Sequence, residues 1–91
     1  MRLASAGNTQ GPALYILECI KGYKVMVMLS DEEDSDWMEW IAVNDKNEFF
    51  AESAEALLGL VTIYEEVGEK WNQYSAYDRE HIWERDPWDF I

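Results

Sequence analysis

Residues 31–36 read Asp-Glu-Glu-Asp-Ser-Asp, five carboxylates in six residues. Like charges at that density repel one another when stacked across a strand pair or along a helix face, so the run predicts an exposed loop. Whatever folds before it and after it is joined by a solvated, strongly negative connection.

The blocks on either side are apolar. Residues 13–20 (ALYILECI) and 23–29 (YKVMVML) are rich in β-prone side chains, and Lys21-Gly22 separates them. A two-residue connection ending in glycine supplies the positive φ of a tight turn, so the pair predicts a β-hairpin. In the second strand Tyr23, Val25, Val27 and Leu29 share one face. Lys24, Met26 and Met28 share the other, which is only partly polar. A strand apolar on both sides is covered twice or faces a partner. After the acidic run, residues 37–43 (WMEWIAV) predict a third strand. Residues 44–47 are turn-rich, and residues 48–51 predict a short fourth strand.

The periodicity then changes. Ser53 is suited to cap a helix, and Glu55 suits its first turn. Leu57, Leu60, Val61 and Tyr64 recur at helical spacing, with Leu58 and Ile63 widening the stripe. Gly68 suits the C-terminal end. Gly59, mid-helix, is expected to mark a close approach of helix to sheet. Ser75 and Asp78 have capping-box spacing, which predicts a short second helix over residues 76–85, stopped by Pro87. The tail after it (Trp-Asp-Phe-Ile) is apolar enough to be expected to pack back onto the domain.

The fold class this predicts is α+β: an antiparallel sheet of three to four strands packed on one main helix, with a short second helix and a folded-back C-terminal tail. At 91 residues the chain fits one domain. Residues 1–12, holding glycine, proline and small polar residues, are expected to be a flexible leader, and residues 13–91 the domain. Five Trp, five Tyr and three Phe give a short chain the bulk to fill a core. Neither a signal-peptide h-region nor an apolar run of membrane-spanning length is present in the sequence. The lone cysteine, Cys19, excludes an internal disulfide and is expected to be a small core residue. Together these point to a reducing, cytoplasmic compartment.

Catalytic and metal chemistry find little support. His81, the single histidine, is flanked by Glu80 and Glu84, which favours ion pairing over general-base work. A Cys19–His81 pair would need a nucleophile inside a buried strand. No glycine-rich phosphate loop follows a strand. Read as a calcium loop from Asp31, the sixth position is Asp36 where the sharp turn needs glycine. The twelfth is Ala42 where a bidentate glutamate is needed. One His and one Cys do not make a closed zinc site. No cofactor is expected. The Asp86-Pro87-Trp88 triplet looks like a docking peptide but is accounted for as a helix stop.

The charge balance is the strongest functional signal. Nineteen acids face seven bases, a formal charge of -12. That disfavours direct contact with nucleic acid or anionic lipid, both of which are met by Lys and Arg. It favours a basic protein partner, with the charge raising the on-rate and aromatic residues anchoring the contact. In size and charge the chain resembles immunity proteins of nuclease toxins and phage-encoded inhibitors of host defence, whose spaced carboxylates imitate nucleic-acid phosphates. The reading is a non-enzymatic acidic binding protein, inhibitor or immunity-type. Its expected contact residues are Asp31, Glu32, Glu33, Asp34 and Asp36, with Trp37 and Trp40 as anchors. The alternative is a small structural domain that forms a homodimer through an apolar sheet face.

Overall fold

The computed structural model of the chain describes residue 1, residues 9–29 and residues 38–89. Its first element is helical. Helix α1 spans Gln10–Tyr15 and continues as a π-helical turn over Ile16–Ile20, closed by Lys21 N–H donating to Ile16 C=O at 2.9 Å. This corrects the hairpin expected from residues 13–20, and the helix begins inside the segment read as a leader. The run satisfies two periods at once: its residues are β-prone, but Ala13, Ile16 and Leu17 also fall on one helical face, and Ala13 and Leu17 are buried. Pro12 sits in the first turn, where its missing N–H has no helical partner to lose. Gly22, at φ 78°, ends the helix and turns the chain into the sheet. Cys19 is exposed, not a core residue, because the helix turns it away from Leu17.

Three strands follow, β1 (Lys24–Leu29), β2 (Met38–Val43) and β3 (Glu48–Ala51), all antiparallel in the order β1–β2–β3. The β2–β3 register is fixed by Asn44. Its Oδ1 accepts the N–H of Lys46 at 2.9 Å and of Asn47 at 2.7 Å, an Asx turn that folds the connection on itself. Helix α2 (Ala54–Val67) starts at Ser53, whose Oγ accepts the Ala56 N–H at 3.0 Å, and ends at Gly68, at φ 62°. Both caps are those expected from the sequence. A 3₁₀ segment (Gly68–Tyr74), the short helix α3 (Tyr77–His81) and a 3₁₀ turn (Pro87–Asp89) are the last elements among the described residues. Helix α3 is shorter than the expected 76–85 and starts from Ala76 without a side-chain cap, so Ser75 does not cap it.

The core lies between α2, the N-terminal helix and one sheet face. Leu17, Leu57, Val61 and Ala42 are fully buried, and Tyr23 nearly so. An edge-to-face chain of rings crosses it, Tyr23 to Phe49 and Phe49 to Tyr64, each 5.8 Å between centroids. Gly59 is exposed with nothing near the place of a Cβ, so it does not mark a close helix–sheet approach. The packed-back tail is not seen at Trp88, which is 78% exposed; Asp86 Oδ1 instead accepts the Trp88 N–H at 3.0 Å within its own turn.

Candidate functional site

The sheet has two faces with different fates. Val25, Ala42 and Phe49 form one cross-strand row and Val27, Trp40 and Ala51 the next; all of these but the exposed Val27 pack into the core. The opposite face carries Lys24, Val43 and Glu48 in one row and Met26, Ile41 and Phe50 in the next, then Met28 beside Glu39. On it Met26, Met28 and Phe50 remain 42, 48 and 47% exposed. Large apolar side chains aligned on a rigid sheet and left open to water mark a contact surface.

Carboxylates gather at one end of that face. Glu39 and Glu52 flank Phe50 around a shallow depression. Leu29 and Met38 are cross-strand partners at the same end. In sequence, the acidic run falls between these two residues. Asp31, Glu32, Glu33, Asp34, Asp36 and Trp37 themselves lie outside the described residues. Trp40 is described: its half-buried ring packs on the core, on the face away from Met26 and Phe50. The two expected anchors are thus not both on the open face.

Phe50 was not among the expected contacts; Ile41, between it and Met26, is buried. The signal for Phe50 lies in the adjacent pair Phe49-Phe50. In a short strand, neighbouring side chains point to opposite faces, so one ring enters the core and the other must face out.

A second apolar surface lies on the outer side of α2. Phe49, Leu60, Ile63, Tyr64 and Trp71 line a groove of about 290 Å³. A neighbouring one of about 450 Å³ runs along Ile63, Val67, Trp71 and Tyr74.

His81 stacks on Tyr77 at 4.4 Å between ring centroids, and its Nε2 lies 3.9 Å from Glu80 Oε2. Both belong to its own helix. Among the described residues no three His, Cys, Asp or Glu side chains are grouped to hold a metal ion, and no helix is long and apolar enough to cross a membrane.

Compared with protein-family models, curated proteins and solved structures, the chain matches none.

Proposed function

We propose that this chain is a non-enzymatic acidic binding protein, of inhibitor or immunity type, that engages a basic protein. The observation that carries the reading is the open sheet face: Met26 and Phe50 exposed on either side of the buried Ile41, with Glu39 and Glu52 at one end. The apolar row supplies the desolvated centre of a contact, and the carboxylates supply the charged rim. With a net charge of -12, the long-range field steers a positive partner towards that end. Self-association through this face sets a charge of -12 on each copy against the other, which favours a basic partner over a face-to-face homodimer.

The test begins with capture from lysate at low salt and ends with a purified candidate. Its affinity is expected to fall steeply as salt rises, because exposed charges are screened beyond a Debye length of about 8 Å at physiological ionic strength. Reversing Asp31, Glu32, Glu33, Asp34 and Asp36 to Lys is expected to slow association, and Phe50→Lys to speed dissociation. A partner that is itself acidic, or one bound equally well by both variants, overturns the reading.

A further inference from the structure

The apolar arc of α2 is wider than its contact with the core. Ala54, Leu57 and Val61 are fully buried. Leu60, Ile63 and Val67, at i, i+3 and i+7, carry the arc round past them, and Leu60 and Ile63 stay exposed. A helix packing on one core needs an apolar arc of only about 100°. The surplus is one wall of the groove on the outer side of α2. Trp71 and Tyr74 of the 3₁₀ segment form the other wall, 59 and 55% exposed. The hollows of about 290 and 450 Å³ share Ile63 and Trp71, so they run into one. Leu60 to Val67 gives it a length of about 10 Å along the helix.

The walls restrict what fits between them. Both are helical, and helical backbone groups are bonded within their own segment. Thr62 also lines the groove, but its hydroxyl donates to Leu58 C=O at 2.8 Å. An extended peptide laid there finds no strand edge, and the backbone groups it turns to the walls go unmet. A helix bonds its own backbone and offers an apolar face to such a groove. Charge sets the rest. Glu66 lines the groove and no base does. Its carboxylate makes no ion pair or hydrogen bond among the described residues. An acidic helix is therefore repelled and a basic one attracted. The described helices of a second copy do not suit. Helix α2 carries Glu55, Glu65 and Glu66 and no base, the helix Gln10–Tyr15 carries no charge, and α3 is little more than one turn.

We propose that the groove along α2 receives a basic amphipathic helix of a partner protein. Apolar residues of that helix seat against Leu60, Ile63 and Trp71, and a Lys or Arg beside them pairs with Glu66. Trp and Tyr, which wall the groove, are the residue types that most often anchor such contacts. The site is separate from the open sheet face, because Met26 and Phe50 lie on the side of the sheet away from α2.

Three synthetic peptides of about 18 residues, long enough to form a helix, test it on the full chain. The first is leucine and lysine with the leucines at helical spacing. The second has the same composition with the two residues alternating, the period of a strand. The third keeps the helical pattern and replaces lysine with glutamate. By calorimetry the first should bind about tenfold or more tighter than the second, and the third should not bind. In NMR spectra the first should move the side-chain signals of Leu60, Ile63 and Val67 and the Trp71 indole, while the Met26 and Met28 methyls stay fixed. Trp71→Ala should weaken it about tenfold. Glu66→Gln should weaken it about threefold. Asp45→Asn, the same loss of charge in the exposed β2–β3 turn, should leave it unchanged. Equal affinity for the first two peptides means that charge alone binds them, and overturns the proposal. So does a glutamate peptide that binds as well, or a first peptide that moves Met26 and Met28 and not the groove. Groove signals that move with protein concentration alone, with a dimer in sedimentation, put a second copy there instead. Should Trp71→Ala lose its fold by circular dichroism, the wild-type spectra still decide.

Discussion

Lys21 Nζ lies 2.6 Å from Glu65 Oε2 and joins the end of the N-terminal helical block to the last turns of α2. The contact spans 44 positions of sequence. Both side chains keep access to water, so the pair contributes a screened charge interaction and not a buried one. Glu65→Gln is expected to cost about 0.5–1 kcal/mol in urea unfolding at low salt. In 1 M salt most of that difference should vanish, because screening then acts within about 3 Å. A difference of the same size at both salts contradicts a charge origin.

Gly59 gives a prediction of the opposite sign. It lies inside α2, and a Cβ added there meets no atom within 4 Å. Glycine in a helix interior costs about 1 kcal/mol against alanine, chiefly through backbone entropy. Gly59→Ala should therefore stabilise the domain by about 1 kcal/mol, raising Tm by about 4–8 °C for a chain of this size. Gly68 is the contrasting case. Space is open there too, but its φ is 62°, and alanine should lose ~1–2 kcal/mol to the left-handed backbone. If both substitutions shift Tm the same way, backbone conformation is not what separates them.

Tyr23 links the fold to pH. Burial pushes its phenol above the ordinary value of 10.0, and the nearby Glu65 carboxylate adds to the effect. The folded state thus holds the proton more tightly than the unfolded one. The resulting stability is complete below pH 10.0 and is lost as pH rises from there through the folded value. Tyr23→Phe removes the titration, so its stability should decline less between neutral pH and strong base than that of the wild type. At neutral pH the variant should lose about 1 kcal/mol for the hydroxyl's hydrogen bond with Asn47. Parallel pH curves for the two proteins would place the phenol outside the core.

The parts legible in the sequence are those where one local rule acts alone. Ser53 and Gly68 bound α2 because an N-cap oxygen and a positive φ have few substitutes. Residues 48–51 form a strand because a turn precedes them and a cap follows. Met26 and Met28 share the open face because alternation in a strand has only two outcomes. Residues 13–20 were not legible in this way. Their β-prone composition suits a strand, while Ala13, Ile16 and Leu17 suit a helix, and local sequence does not choose between them. Tertiary packing does: Leu17 is fully buried beside Leu57 and Val61, a position it reaches on a helix laid against α2. Trp40 illustrates the same limit at the candidate site. Its strand was legible, but which face would meet α2 depended on packing far along the chain.

Asp78 shows how the short C-terminal elements hold together without a core. Its Oδ2 accepts the Trp83 indole Nε1–H at 2.8 Å, and its C=O accepts the backbone N–H groups of Ile82 and Trp83. The indole hydrogen bond lowers the carboxyl below its ordinary value of 3.8. The stabilisation is therefore present above pH 3.8 and is lost as pH falls through the folded value. The site is fully exposed, so the effect is local. In acid the Trp83 indole proton should move towards the solvent-exposed position in NMR spectra, while resonances of Leu57 and Val61 in the core stay fixed. Asp78→Asn keeps the size of the side chain but removes the charge. Its indole signal should show no transition over the same range. A titration of the Trp83 signal that persists in Asp78→Asn would assign the transition to another carboxylate.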